Sequence, residues 1–199
     1  MNPVNKKLND HLEATRFWGP SNNTILSIHY LSKFKRRALD LGCGSLRNSK
    51  FLFNSGLIVD AIDKDPKVKK FREFFKGRPK GLFNLKIADY LKSNLGEEKY
   101  DIVVAQNCLS FNNKNDVKKI IIKIYKALKM NGYFAGNIYG IKDFRVGKSN
   151  MSFYTKNEAA SLLRKFKLIW LTEDKGDGEE SGKKFHWDTY EFLAQKGTL

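Results

Sequence analysis

Two glycines and one acid are placed where chemistry could be done. The run Asp40-Leu41-Gly42-Cys43-Gly44-Ser45-Leu46-Arg47 follows a short apolar segment and opens a segment of helical pattern. Glycine at a strand-to-helix turn lets a ligand approach the backbone closely, because no Cβ stands in the way. Asp63 ends the next apolar run, 63 − 40 = 23 residues after Asp40. A carboxylate there accepts from both ribose hydroxyls of a nucleoside. Together the turn and the acid point to an adenosine-type ligand. A dinucleotide is disfavoured: where its fingerprint wants a third glycine the chain has Arg47, which opposes tight packing of a pyrophosphate on the helix terminus. No Gly-x-x-x-x-Gly-Lys-Ser/Thr phosphate loop occurs. Cys43 and Cys108 are too few for a disulfide framework or a four-ligand zinc site, and neither metal binding nor thiol catalysis is expected.

The elements that must position these residues alternate. Leu26, Ile28, Tyr30, Leu31 and Phe34 predict the apolar face of a helix begun near Ser21. Strands are expected over 37–41, 57–62, 85–88, 101–105, 133–138, 166–171 and 187–194. Helices are expected from Arg47 to Asn54 and from Pro66, a tolerated first helical residue, to about Lys76. The clearest helix has Val117, Ile120, Ile121, Ile124 and Leu128 on one stripe, with Asn131-Gly132 as its stop. Thr155 and Glu158 fit a capping box, so a last helix starts there. The stretch 173–184 reads as a polar glycine-rich loop joining the final two strands as an antiparallel hairpin. The alternation implies an α/β, doubly wound, Rossmann-like sheet of seven strands, mostly parallel with an antiparallel C-terminal hairpin strand. The chain reads as one domain over 1–199, with 1–36 an N-terminal helical segment and 37–199 the sheet core.

The motifs resemble those of class I S-adenosylmethionine-dependent methyltransferases, from about Ala14 to Lys196. Asp40-Leu-Gly-Cys-Gly44 looks like the family's first motif, and Val59-Asp-Ala-Ile-Asp63-Lys-Asp-Pro66 like its second-strand acid motif. Ile87-Ala-Asp89-Tyr90 is similar to its adenine-side motif, and Tyr100-Asp-Ile-Val-Val-Ala105 to its fourth strand. Ala127-Leu-Lys-Met-Asn-Gly132 resembles the helix-to-strand passage, and Phe153 to Glu158 the opening of the last helix. Within the class, Arg47-Asn48 and the short chain resemble small bacterial enzymes of the tellurite-resistance type. Two positions depart from the family pattern. Leu46 stands where a third glycine is common, which would crowd the methionine part of the cofactor or shift the turn. Lys64 replaces an apolar cover for the adenine, though its stem could serve.

The resemblance implies S-adenosylmethionine as cofactor and assigns roles. Asp40, Gly42, Cys43 and Gly44 form the turn, its glycines lining the methionine moiety. Asp63 holds the ribose, with Lys64 beside the adenine. Asp89 accepts from the adenine amino group near the Tyr90 amide. Ala105 and Gln106 offer carbonyls to the methionine ammonium, and Arg16 is an anchor for its carboxylate. Trp18, Asn107 and Tyr139 are the candidate substrate contacts, and His186 the candidate base. Each has a plainer alternative: Asp89 as a turn cap, Asp40 as a brace for the turn, Cys43 as filler, Trp18 as packing, His186 as a strand-end residue bonded to backbone. The nucleic-acid amino-methylating signature, Asn/Asp/Ser-Pro-Pro-aromatic, is absent.

With Lys plus Arg 37 and Asp plus Glu 21, the net charge is +16 and the sequence pI about 9.7, which suggests an anionic partner such as RNA. The basic residues are mostly Lys, the weaker choice for bidentate phosphate recognition, in a chain rich in Asn, Ile and Phe. No apolar run approaches a membrane span and the first ten residues lack a signal-peptide core, so a cytoplasmic protein with free thiols is expected. The expected function is methyl transfer to a small or medium-sized acceptor. The alternatives are an RNA-directed methyltransferase and a catalytically silent nucleoside-binding module on the same fold. The acceptor atom and the oligomeric state are not written in the sequence.

Overall fold

The computed structural model describes residues 12–31, 36–180 and 182–197. Phe34 and the first ten residues lie outside the described residues. All seven strands form one sheet: β1 (Arg37–Leu41), β2 (Ile58–Asp63), β3 (Phe83–Ile87), β4 (Tyr100–Ala105), β5 (Leu128–Tyr139), β6 (Lys167–Glu180) and β7 (Lys183–Gln195). Their order is β3-β2-β1-β4-β5-β7-β6. β1 to β5 pair in parallel, and β7 runs antiparallel to both β5 and β6. Residues 12–15 are helical, and the helices that follow are α1 (Asn22–His29), α2 (Arg47–Asn54), α3 (Lys114–Ala127) and α4 (Lys156–Leu162), with 3₁₀ segments at Pro66–Phe75 and Leu109–Phe111. Among the described residues no helix is long and apolar enough to cross a membrane.

The sheet is covered on both faces. Leu39, Leu41, Val103, Ala105 and Phe134 pack with Ile120 and Ile124 of α3. Ala38, Ile102, Val104 and Ala135 pack on the opposite side with Leu46, Leu52 and Phe71. Consecutive residues of β4 thus feed opposite cores, which is why that strand is apolar without alternation.

Three expectations are corrected. The segment after Pro66 is 3₁₀ rather than α. α3 ends at Ala127, and Asn131-Gly132 lies inside β5 rather than stopping the helix. Leu128 already pairs with Tyr100, and the register shifts between Tyr100 and Ile102, so Asn131, at φ 64°, absorbs an irregularity of the strand. The glycine-rich stretch 173–184 is mostly strand, because β6 continues to Glu180. Its glycines face rings: a Cβ at Gly176 would overlap Trp187, and one at Gly178 would come within 2.7 Å of Phe185. Here glycine makes room for cross-strand aromatics instead of breaking the strand. The capping box forms as expected, Thr155 N–H donating to Glu158 Oε2 at 2.8 Å.

Candidate active site

The sheet reverses its order between β1 and β4, and ligands of open α/β sheets bind beyond the carboxyl ends of the strands at such a point. The turn after β1 lies there. Gly42 and Gly44 have φ of 63° and 50°, in the region that favours glycine. A side chain at Gly42 would overlap Cys108, just after β4; one at Gly44 would meet only Leu12 at 3.5 Å and Gly42 O at 4.0 Å. Gly42 N–H donates to Ile62 O at 2.8 Å, which pins the turn to the end of β2. Gly44 N–H donates to Asp63 Oδ2 and Asp65 N–H to Asp63 Oδ1, each at 2.9 Å. The acid and the glycine turn are therefore one assembly. Asp40 is buried beneath it and accepts from Ser49 Oγ of α2 at 2.6 Å. It braces the helix and does not line the turn; burial pushes its carboxyl up to about 7.

Leu46 is left-handed as well, at φ 62°. Its side chain is fully buried with Leu12 and Leu52, so it points into the core. Of the two outcomes expected for this position, the backbone takes the strain. Cys43 and Cys108 are buried free thiols, and burial raises both well above the ordinary range. Asp89 follows β3 and its Oδ1 accepts from Leu91 N–H at 2.9 Å, an Asx turn. Tyr90 is buried; its hydroxyl donates to Cys108 O at 3.0 Å and receives Asn112 Nδ2 at 2.6 Å, so only its backbone is offered to the adenine side. Lys64 is exposed at the end of β2, and Ala105 is fully buried at the end of β4.

Beyond β4 the structure assembles a polar cluster in which Gln106 and Asn107 were expected site residues and Asn23, Asn137 and Glu191 were not. Gln106 Nε2 donates to Glu191 Oε1 at 3.0 Å, and Asn137 Nδ2 donates to the same oxygen at 3.0 Å. Asn23 Nδ2, from α1, reaches Glu191 Oε2 at 2.6 Å, Gln106 Oε1 at 2.8 Å and Gly136 O at 2.9 Å. Asn107, at φ 52°, exchanges two 2.7 Å hydrogen bonds with Asn137 and so ties the ends of β4 and β5 together. The cluster explains why α1 buries Asn23, Thr24 and Ser27, while Leu26 and Tyr30 of its expected apolar face are 47% exposed. The carbonyls and carboxylate under this helix need donors. The available signal was Glu191 itself, a lone acid in the apolar run Tyr190-Glu-Phe-Leu-Ala194. A cleft of about 770 Å³ opens beside it, walled by Asn23, Arg47, Trp170, Glu173 and Asp174 among others.

The remaining candidates lie apart from that cluster or are already engaged. Arg16 donates to Glu13 at 3.2 Å on the surface, and Lys70 pairs with the same carboxylate. Trp18 is 57% exposed, with the Arg47 guanidinium 5.8 Å from its ring. Tyr139 is buried between Phe111 and Arg145, and burial pushes its hydroxyl up to about 12. β7 pairs Thr189 with Tyr139, so the hairpin runs on past the end of β5. His186 sits on that extension, paired with Asp177 and bonded to its Oδ1 at 2.8 Å. Strand alternation puts His186 on the face opposite Glu191. It does not line the cleft.

The fold is that of class I methyltransferases. Residues 39–136 match the model of a family described as a methyltransferase domain. The fold recurs in a methyltransferase of Methanosarcina mazei (20% identity, 86% of this chain and 96% of that one, TM-score 0.68). It recurs in TehB of Haemophilus influenzae (22% identity, 88% and 62%, TM-score 0.75). A third case is a Burkholderia thailandensis 1,6-didemethyltoxoflavin-N1-methyltransferase solved with its substrate and S-adenosylhomocysteine (17% identity, 88% and 77%, TM-score 0.65). No curated protein matches the chain significantly. At these identities the neighbours show the fold and do not assign a subgroup. The matched methyltransferase domain and the fold together support a class I methyltransferase that uses S-adenosylmethionine.

Proposed function

We propose that the protein transfers a methyl group from S-adenosylmethionine to a small or medium-sized acceptor bound beside Gln106. The observation that carries this reading is the assembly of Gly44 and Asp63 at the switch point of the sheet. The donor set fits the cofactor: a glycine turn open to close approach, a carboxylate ending β2 for the ribose, and Asp89 with the Tyr90 amide after β3 for the adenine. When bound, S-adenosylmethionine supplies a sulfonium whose methyl carbon is the electrophile. The chain's part is to align the two reactants and exclude water, so no protein nucleophile is needed. Gly42 and Gly44 would line the methionine moiety, and the carbonyls of Ala105 and Gln106 would accept from its ammonium. On the N-terminal side Leu12 lies beside Gly44 and Thr15 Oγ1 is 3.1 Å from Ser45 Oγ, which ties that segment to the turn.

The two buried free thiols suit a cytoplasmic protein, and one sheet taking in all seven strands suits a single domain. The +16 charge favours the RNA-directed alternative, whereas the acids of the cleft favour a small acceptor. Calorimetry with S-adenosylhomocysteine and with NAD tests the reading. Binding of the first and not the second is expected; tight NAD binding with no S-adenosylhomocysteine binding would overturn it.

A further inference from the structure

The cleft beside Glu191 adjoins the cofactor cradle at Gln106 and opens at the same switch point, since Arg47 follows the glycine turn and Gln106 follows β4. Its charge runs against that of the whole molecule. Glu173, Asp174 and Glu191 line it with one guanidinium, Arg47, and Lys175 pairs with Glu173 at 2.9 Å, so acids outnumber bases there in a protein of net charge +16. A phosphate or oxyanion acceptor would meet a wall of its own sign. Trp170 supplies a flat apolar side.

The hydrogen bonds around Glu191 are incomplete in a particular way. Its carboxylate receives only amide donors, from Asn23, Gln106 and Asn137. The Asn23 amide has two hydrogens but faces three acceptor oxygens, on Glu191, Gln106 and Gly136. Its own Oδ1 is buried with no partner. The cluster therefore has acceptors left over and lacks hydrogens, which a ligand rich in N–H groups would supply.

We propose that this cleft is the acceptor site and takes a flat nitrogenous base, an amine or amidine-like heterocycle, that stacks on Trp170 and donates N–H groups to Glu191 and to Asn23 Oδ1. This rests on the methyltransferase reading above. In the transfer, the nitrogen lone pair forms the new C–N bond. The C–S bond breaks with its electron pair staying on sulfur, which leaves S-adenosylhomocysteine. The N–H proton passes to the Glu191 carboxylate. Burial holds that carboxyl up at about 7; Asp174 of β6 pushes the same way, and the amides of Gln106 and Asn137 and the charge of Arg47 on α2 oppose it. Glu191 can thus hold the proton near neutrality and release it to solvent through the cleft.

Two probes of one shape and opposite charge, benzamidine and benzoate, decide the matter in the isotope-labelled protein, alone and saturated with S-adenosylhomocysteine. Benzamidine is expected to shift the side-chain amides of Asn23 and Gln106 and the Trp170 indole, and benzoate to leave them unmoved. Glu191→Gln should weaken benzamidine about tenfold or more and leave S-adenosylhomocysteine affinity unchanged, and Asp174→Asn should weaken it less. Equal binding of benzoate, or benzamidine binding untouched by Glu191→Gln, overturns the proposal. So does a wild-type Glu191 carboxyl that titrates in the ordinary range near 4.3, a measurement needing no variant. Failure of S-adenosylhomocysteine to bind would strike the methyltransferase reading instead. The choice between the probes would still be read from the protein alone.

Discussion

Asp63 joins two jobs in one side chain, holding Gly44 N–H on one oxygen and Asp65 N–H on the other. Its neighbour Asp65 caps the 3₁₀ segment through Lys67 N–H at 2.9 Å. The two acids separate cleanly in experiment. Asp63→Ala is expected to lower S-adenosylhomocysteine affinity tenfold or more, because each hydrogen bond to a charged acceptor contributes about 1.5–3 kcal/mol. Asp65→Ala should cost about 1 kcal/mol of stability, the usual worth of a cap, and leave affinity alone. Calorimetry with urea denaturation distinguishes them, and equal affinity losses would mean that Asp63 is not the ribose acid. His186 calls for the opposite outcome. It is turned away from Glu191 and tied to Asp177 on an exposed arm. His186→Ala should leave single-turnover rates unchanged and alter stability by less than about 1 kcal/mol. A hundredfold loss of rate with normal cofactor binding, the usual size of a general-base effect, would restore it as the base.

α1 shows how an element can turn its polar side inward. Of the expected apolar face, Ile28 and Leu31 do pack against the core, but Leu26 and Tyr30 are exposed and the residues that the helix buries fully are Asn23, Thr24 and Ser27. Helical periodicity points to the buried face only where the surface beneath the helix is apolar. The surface beneath α1 carries Gly136 O, Gln106 and Glu191, and burying those without donors is the costlier choice. Asn23→Leu is therefore expected to destabilise the protein by about 1–3 kcal/mol although it makes the helix more apolar. Leu26→Gln should stay within about 0.5 kcal/mol of wild type. Denaturant midpoints for the pair check this, and a stabilised Asn23→Leu would refute the account. The β6–β7 hairpin carries a similar lesson. Gly176 and Gly178 look like loop residues until Trp187 and Phe185 are found filling the space over them.

Over the whole molecule, stability should depend on pH in two windows of opposite sign. Burial works against ionisation of Asp60, but hydrogen bonds from Arg37, Lys99, Asn84 and Tyr100 outweigh it and hold the carboxyl well below the ordinary range. Its contribution is present above the unfolded pKa of about 3.9 and is lost as pH falls toward the folded one. Asp40 and Glu191 are raised, each to about 7, chiefly by burial. Between about pH 4 and 7 the folded chain holds protons that the unfolded chain has released, so stability declines as pH rises through that window. Asp40→Asn should flatten this decline by on the order of a few kcal/mol, since a tenfold change in proton affinity between the folded and unfolded chain is worth about 1.4 kcal/mol. Urea denaturation at a series of pH values measures it; an unchanged slope would show that Asp40 ionises normally. The glycine turn, the acid closing the next strand and the two-sided sheet were all legible in the residues, because each is written in short-range signals: φ preference, apolar period, and a crossover of fixed hand. The polar cluster around Glu191 was legible only at Gln106 and Asn107. Asn23 and Glu191 are 168 residues apart, and Gln106 and Asn137 come from two other strand ends. A buried polar cluster leaves no local pattern, since each member is tolerable inside the protein only once the others arrive, and only the tertiary structure brings them together.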